Sequence, residues 1–427
     1  MSTTSGTNST SHTHSTSRTH GTDAAHTTGG TTATLGTPVT FTLTEAQLDP
    51  YVTHVPTRRW LTGPGLPDVG GLVTFETLRA TGLRTVADST GDTADRLPAD
   101  LRDQLVIGGL LGGEGPETES VLLDGATGEI TTTYFFHDRL DLMDRRPFAP
   151  SLEKLVRFAT AADELAALRG QFAAYAGRYG PEAVAEASGD LLALYEAGAD
   201  GEVPPFWKLA AVIRPLALMA GPGTRSGLAL DLPPRLLDEE FETGAIVRFE
   251  EVDFPSALVH EPTRRFLRET GLPEECVWFS LDTDVPLPTL AEHRADTGED
   301  SAESDAPLPE GAERLIRLGH LVEDTSLVLD GTTGAVLAWS EPDAALRPLN
   351  ADISTLAFTL WLIRREHTLD AEHDLTEAYD QLAATMTRTL AALDPMACDP
   401  TPRTPTDDGW RYWPEMFEDE AGGGLFA

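Results

Sequence analysis

The clearest helix in the sequence has a proline at its start, a glycine after its end and apolar residues along one side. Over residues 262–270, Phe266 and Leu267 can face a core while Arg264 and Arg268 face water. Proline is tolerated in the first turn of a helix, where its missing N–H costs no hydrogen bond. Gly271 can take the left-handed conformation that ends many helices. The pattern therefore predicts a short amphipathic helix that stops at this glycine.

The chain contains this stretch twice. HEPTRRFL at residues 260–267 repeats an earlier HVPTRRWL at residues 54–61, and the offset is 260 − 54 = 206 residues. Other pairs keep the same offset: GLP at 65–67 and 271–273, SVLLDGATG at 120–128 and SLVLDGTTG at 326–334, and FW at 206–207 and YW at 412–413. Separated anchors that share one offset indicate a tandem duplication of one domain, because solenoid repeats have periods of roughly 20–50 residues.

The second repeated segment predicts a β-hairpin in each half. Leucine and valine at 122–123 and 328–329 supply strand residues, and the Asp-Gly pair that follows introduces a turn. The exit strands are predicted at 129–136 and 335–339. A calcium loop is the alternative for Asp124 and Asp330, but the segment is too short for an EF-hand and lacks its spaced acids. Turn chemistry is the better account.

Helices are predicted to close each repeat. Ser151 is a candidate N-cap in the first repeat, and the segment that starts at Asp352 is its counterpart. A long helix is predicted in the second repeat from apolar residues at helical spacing, namely Leu375, Ala378, Tyr379, Leu382, Met386 and Leu393. The closing aromatic residues of each repeat are expected to pack on their own domain.

Strands followed by helices predict an α+β fold in each half, with an antiparallel sheet meander flanked by helices. A first short strand is predicted at Phe41 and Leu43, matched by residues 246–249 before the second anchor. We predict a disordered Ser/Thr/His-rich tail over residues 1–37, one repeat over 38–218, a Gly-Pro-Gly linker over 219–227, and a second repeat over 228–427.

The formal net charge of −38 indicates which classes of partner the chain can bind. Nucleic acid and acidic lipid surfaces should be repelled, because both are bound through clustered Lys and Arg. A basic protein is the partner that such a charge favours. The alternative is that the acidity serves only solubility.

Cysteine content and apolar runs bear on the compartment. Cys276 and Cys398 are the only cysteines, too few for a disulfide framework or a cysteine zinc site. The N-terminal residues lack an apolar signal core, and the most apolar run, residues 209–219, is too short to span a bilayer. We expect a cytoplasmic protein. The histidines of the tail could bind a metal loosely, but a solvated tail is the simpler reading of His12, His14, His20 and His26.

Motifs of known catalytic chemistry are missing from the sequence. There is no P-loop, no Gly-x-Gly-x-x-Gly opening a βαβ unit, no His-Glu-x-x-His and no Gly-x-Ser-x-Gly. His54 and His260 recur, but a catalytic histidine needs a positioned partner, and none recurs with them. Capping or packing is the expected role of both. We therefore expect no enzymatic activity, no cofactor and no metal.

The anchor HEPTRRFL with its Gly-Leu-Pro, preceded by VRF at 247–249 and followed by Leu-Asp-Gly-x-Thr-Gly, resembles the SUKH superfamily of immunity proteins, and most closely its fourth group, SUKH-4. The resemblance covers residues 39–417. Repeat two matches better, since repeat one has Val55 for Glu and Trp60 for Phe, which points to an altered surface there.

The resemblance implies a non-enzymatic α+β binding domain that neutralises a toxin, often a nuclease or deaminase, by tight binding. It transfers no site residue, because the partner surface varies with the toxin. The charge favours an acidic insert of repeat two, predicted as a mobile surface loop, as the partner contact: Glu292, Asp296, Glu299, Asp300, Glu303 and Asp305. The alternatives are a scaffold or regulatory module of the same fold and, third, an enzyme with a cleft of perturbed titratable groups.

Overall fold

The computed structural model describes residues 40–427 except 68–70, 112–116, 137–138, 200, 284–285, 298–306, 323–324, 400–408, 421–423 and 426–427. The predicted tail, residues 1–37, lies outside these described residues. Residues 38–427 form one compact unit that contains both repeats.

The described residues of repeat one form eight strands and seven α-helices. The strands are β1 (Thr40–Phe41), β2 (Leu66–Pro67), β3 (Val73–Thr74), β4 (Arg84–Thr85), β5 (Leu105–Leu111), β6 (Glu117–Leu123), β7 (Ile130–Thr133) and β8 (Arg146–Ala149). The helices are α1 (Glu45–Leu48), α2 (Val55–Thr62), α3 (Glu76–Thr81), α4 (Val86–Thr90), α5 (Leu152–Ala166), α6 (Pro181–Glu196) and α7 (Pro205–Ile213), and α7 runs into a 3-10 turn at Arg214–Met219.

Repeat two follows the same plan. The strands of the linker and of repeat two are β9 (Gly221–Pro222), β10 (Leu230–Asp231), β11 (Ile246–Val247), β12 (Leu272–Pro273), β13 (Glu275–Cys276), β14 (Phe279–Leu281), β15 (Leu315–Leu321), β16 (Thr325–Asp330), β17 (Val336–Ser340) and β18 (Ala345–Asn350). Its helices are α8 (Leu236–Glu240), α9 (Glu261–Glu269), α10 (Leu290–Thr297), α11 (Ile353–His373), α12 (Tyr379–Ala391), α13 (Pro395–Cys398) and α14 (Tyr412–Glu418).

Each repeat is built on an antiparallel meander, so the predicted fold class, α+β with one sheet per tandem domain, is confirmed. The sheet of repeat one has the order β3-β5-β6-β7-β8, with β4 also paired to β5, and that of repeat two has the order β13-β14-β15-β16-β17-β18. The small pairs β1–β2 and β11–β12 bring the strand before each anchor helix against the Gly-Leu-Pro after it.

Both faces of each sheet are covered, because successive strand residues point to opposite sides. In repeat one Val121 and Leu123 join the main core under the long helices, while Leu122 joins a smaller core on the other face. In repeat two Leu327 and Leu329 lie in the main core, and Val328 lies in the smaller one. The two halves therefore keep the same inward and outward positions along this strand.

The predicted helical segments are correct in position but not always in length. Ser151 and Asp352 cap α5 and α11 as expected, since their side chains accept hydrogen bonds from backbone N–H groups of the first turn. The long helix predicted from Leu375 to Leu393 is wrong in its first turn. Asp374 has a left-handed φ of 53°, a 3-10 turn follows over Leu375–Ala378, and α12 begins only at Tyr379.

The predicted linker is ordered where it leaves repeat one. Gly221–Pro222 pairs with Leu230–Asp231, and the residues before it, Met219 and Ala220, are buried. Leu230 N–H donates to Ser354 Oγ at 3.0 Å, which ties this hairpin to the start of α11.

The two repeats share a packed interface in which α7 lies between two cores. Trp207 and Ala210 belong to the core of repeat one, whereas Leu209, Val212 and Ile213 belong to the core of repeat two, and α7 contacts α12. Polar contacts add to it, since Arg388 of α12 donates to the backbone oxygen of Leu111 at 2.7 Å. The second repeat thus covers a face of the first.

Candidate partner-binding surface

The anchor motif and the Asp-Gly hairpin motif, which both recur in the sequence, contact each other in both halves of the chain. The backbone N–H groups of Thr53 and His54 donate to Gly125 O at 2.8 and 2.9 Å. Those of Val259 and His260 donate to Gly331 O, both at 2.9 Å. The Asp-Gly turn of the hairpin therefore holds the residues that precede the anchor helix.

His54 and His260 complete this contact through their rings. Each Nδ1 is hydrogen-bonded at 2.8 Å to the hydroxyl of a threonine in its own helix, Thr57 or Thr263. Gly128 and Gly334 lie directly against the rings: a Cβ at either glycine would lie 2.2 or 2.3 Å from Nδ1. The histidines are thus used in packing, as the sequence predicted.

The first arginine of each anchor is used inside its own repeat. Arg58 donates to Asp49 Oδ1 at 2.6 Å and to Val52 O at 2.8 Å. Arg264 donates to Leu258 O at 3.2 Å and forms an ion pair with Glu251. These guanidinium groups stabilise the chain before the anchor helix, which accounts for their repetition without a partner contact.

Asp124 and Asp330 act as turn residues. Asp330 Oδ1 accepts the N–H groups of Thr332 and Thr333 at 2.9 and 3.0 Å, and Arg314 donates to Oδ2 at 3.1 Å. Burial raises the pKa of this carboxyl, but the hydrogen bonds from Thr333 and Arg314 outweigh burial, and the net pKa is lowered. Asp124 makes the same two backbone contacts with Ala126 and Thr127.

A cavity of about 450 Å³ on repeat two is lined by a cysteine and a histidine, two residue types that can act in catalysis. Cys276, Arg364 and His367 line it. Burial raises the pKa of the Cys276 thiol to about 11 and lowers the pKa of His367. A cysteine nucleophile requires the opposite shift, toward the thiolate at neutral pH. Over the described ranges, no group of three His, Cys, Asp or Glu side chains could hold a metal ion.

The structure places two of the six acidic residues predicted as a partner contact. Glu292 and Asp296 lie on α10, so the expectation of a mobile loop is wrong for this part. The Glu292 carboxylate accepts the backbone N–H and the hydroxyl of Thr289, both at 2.9 Å, and these bonds lower its pKa. It therefore caps the helix. Glu299, Asp300, Glu303 and Asp305 lie outside the described residues.

A larger opening, the acidic cavity, lies on repeat two between the sheet and α14 and has a volume of about 850 Å³. Its walls carry four carboxylates and two guanidinium groups beside aromatic rings: Asp343, Glu415, Glu418, Asp419, Arg347, Arg411, Trp410 and Tyr412. Arg347 lies 5.1 Å from the centre of the Trp410 ring and 3.2 Å from Asp343 Oδ2. The Trp410 ring therefore carries a guanidinium group of the same chain, and this group is paired with a carboxylate at the margin of the cavity.

Comparison with protein families decides the identity of this architecture. The model of the SUKH-4 immunity protein family matches residues 28–194 and 232–419, one match in each half. The chain belongs to the SUKH-4 immunity protein family. The resemblance found in the anchor motif is thereby confirmed, and the chain contains two tandem SUKH-4 domains. No curated protein and no solved structure matches it.

The SUKH-4 matches leave out residues 195–231, which include α7 and the β9–β10 hairpin between the two domains. Within the described part of the chain, no helix is long and apolar enough to cross a membrane. The acidic cavity of the second SUKH-4 domain could not be predicted from the sequence, because its carboxylates come from segments far apart in the chain.

Proposed function

We propose that this protein binds a polymorphic toxin domain of the nuclease or deaminase class and neutralises it by covering a cationic surface of the toxin. Membership of the SUKH-4 immunity protein family, with a match in each half of the chain, is the observation that carries this proposal. The toxin class and the covered surface go beyond the family match and rest on the charge of the chain.

Charge supports the finer part of the proposal. An enzyme that acts on nucleic acid holds the phosphate backbone with clustered Lys and Arg. A protein with a net charge of −38 is attracted to such a surface and repelled by the nucleic acid that competes for it. Charge complementarity of this kind raises the association rate and favours one orientation of docking.

Growth protection tests the function. The chain is co-expressed in a bacterial host with the toxin domain encoded beside its gene, and a catalytically inactive toxin serves as the control for expression burden. We expect the chain to restore growth and to co-purify with the toxin at nanomolar-class affinity. Full toxicity with both proteins expressed, and no complex on mixing, would contradict the proposal and favour a scaffold or regulatory module with endogenous partners.

The contact between the acidic segment of repeat two and the toxin remains a prediction. Charge reversal of Glu299, Asp300, Glu303 and Asp305 to lysine should slow association with the toxin, because it removes negative charge from the approach path. Binding kinetics that are unchanged at low salt would exclude this segment and leave the proposed function itself untouched.

A further inference from the structure

A cavity of about 190 Å³, the interface cavity, lies between the two repeats. Repeat one contributes the end of α5 and the 3-10 turn after α7, and repeat two contributes the end of α12. The charged side chains that the structure describes on its walls are both arginines, Arg214 and Arg388. Tyr179 also lines the cavity and is 45% exposed, so the cavity reaches the surface.

The guanidinium group of Arg214 is unsatisfied. Its Nη1 atom is buried and has no hydrogen-bond partner among the described residues. A guanidinium group has N–H donors, no acceptor, and a charge that it keeps at physiological pH. Leaving such a donor buried and unpaired is unfavourable, and a buried polar atom without a partner in its own chain commonly meets a water molecule or an ion. The position therefore calls for an acceptor.

The nearby acceptors of the chain do not supply it. Asp163 is the acid whose charge acts on Arg214, but its carboxylate accepts the Gly71 N–H at 3.0 Å and makes no hydrogen bond with Nη1. The ends of α5 and α12 attract cations, because the helix dipole is negative there. Yet within the described part of the chain no carbonyl oxygen of either helix accepts from Nη1. The acceptor would therefore come from the solution that fills the cavity.

The second arginine makes an anion a better acceptor than water. Arg388 donates to Leu111 O at 2.7 Å, so what it adds to the cavity is its charge. Burial and the charge of Arg214 lower the pKa of Arg388 to about 10, against the opposing charge of Asp163. Like charges therefore repel each other at this interface. Water could accept the hydrogen bond from Nη1, but an anion would also offset the repulsion.

The volume of the interface cavity restricts the anion to a small one. Binding sites for organic ligands span roughly 300–1,000 Å³, and a cavity of about 190 Å³ lies below this range. The planar fork of a guanidinium group matches two oxygens of a phosphate group at once. An inorganic oxyanion thus suits both the volume and the donors.

We propose that the interface cavity binds a small oxyanion of the phosphate class, which accepts hydrogen bonds from Arg214 and offsets the charge of Arg388. The two arginines belong to different repeats, so the bound anion would tie the repeats together. The site goes beyond the proposed function, since its ligand is not the toxin.

Isothermal titration calorimetry with inorganic phosphate tests the site in the full-length chain. The protein is first dialysed into a phosphate-free chloride buffer. Ionic strength is held constant during the titration, because a chain with a net charge of −38 responds to any added salt. The wild-type chain is compared with Arg214→Gln and with Arg157→Gln, a matched control that removes an exposed arginine of α5.

We expect saturable phosphate binding by the wild-type chain, about tenfold weaker binding or worse in Arg214→Gln, and a change of less than about twofold in Arg157→Gln. Ala217→Leu narrows the cavity without changing its charge and should also weaken binding by about tenfold. Equal affinities in the wild-type chain and Arg214→Gln, or no saturable binding below about 10 mM phosphate, would overturn the proposal and leave the cavity to water.

Thermal unfolding separates a bound anion from a packing role of Arg214. A ligand that binds only the folded chain raises the melting temperature as its concentration passes the dissociation constant. At constant ionic strength, phosphate should therefore raise the melting temperature of the wild-type chain and of Arg157→Gln, but not that of Arg214→Gln. The same rise in all three chains would show that phosphate acts elsewhere and would contradict the assigned site.

Discussion

Replacing Gly334 with alanine tests the contact that joins the two repeated motifs. The glycine has a φ of 81°, and a Cβ there would lie 2.3 Å from His260 Nδ1 and 3.0 Å from Thr263 Oγ1. A left-handed alanine costs about 1 kcal/mol. The imidazole must also move, which breaks its hydrogen bond to a fully buried hydroxyl and costs about 1–3 kcal/mol more. We expect a total loss of about 3 kcal/mol in the free energy of unfolding.

Gly244→Ala separates the two terms. Gly244 has a φ of 90° but no atom within 4 Å of an added Cβ, so it carries the conformational cost alone, about 1 kcal/mol. Denaturant unfolding of both variants, followed by circular dichroism, gives the difference. The excess loss at Gly334 should shrink in a His260→Ala background, where the ring is gone. Equal losses in Gly334→Ala and Gly244→Ala would refute the reasoning.

Two further predictions concern buried groups. The Glu366 carboxyl is fully buried, its oxygens have no hydrogen-bond partner within the described structure, and burial, with the nearby charge of Asp370, raises its pKa to about 9. The contribution of the Glu366 carboxyl to the free energy of unfolding is complete below pH 4.5, its pKa in the unfolded chain, and is lost as the pH rises toward 9. Between these values the carboxyl ionises in the unfolded chain but stays protonated in the folded chain. Glu366→Gln should therefore raise the melting temperature more at pH 8 than at pH 5, and an equal change at both would contradict this. Ile213→Ala removes a fully buried side chain of α7 from the core of repeat two and should cost about 2–4 kcal/mol. Calorimetry should show both repeats melting at lower temperature, and a shift confined to one repeat would argue against a shared interface.

The repeated motifs could be predicted from the sequence because their residues serve one contact. The proline start, the glycine stop and the Asp-Gly turn each have a local physical reason, and the histidine and threonine of the anchor recur beside them. What the sequence did not state is that the anchor and the hairpin touch. That fact depends on the register of strands that are far apart in the chain.

The offset of 206 residues hides compensating length changes between the anchors. Leu105 pairs with Leu123, and Ile316 pairs with Leu329, so these first strands correspond at 316 − 105 = 211. The last strands correspond at 350 − 149 = 201, from the partners of Ile130 and Val336. Insertions and deletions in the loops cancel each other, so that the repeated motifs all keep the offset of 206. No repeated motif lies within the strands whose offset differs, so the sequence does not show these changes in length.

Two features of the fold, the start of α10 and the burial of α7, could have been predicted from sequence patterns. The sequence Thr-x-x-Glu at Thr289 and Glu292 is that of a capping box, which predicts the start of α10 where a loop was expected. The apolar run over residues 209–219 is too apolar for a helix with one buried side. It predicts a helix buried on two sides, as α7 is between the two repeats.

The central claim is tested most directly by the association rate between the purified chain and the toxin domain that it neutralises in the growth assay, measured by stopped-flow fluorescence across a range of ionic strength. If the chain acts by covering a cationic surface, the rate should fall by about tenfold or more as salt rises from about 0.05 to 0.5 M, while the dissociation rate changes little. An association rate that is independent of salt would contradict the account.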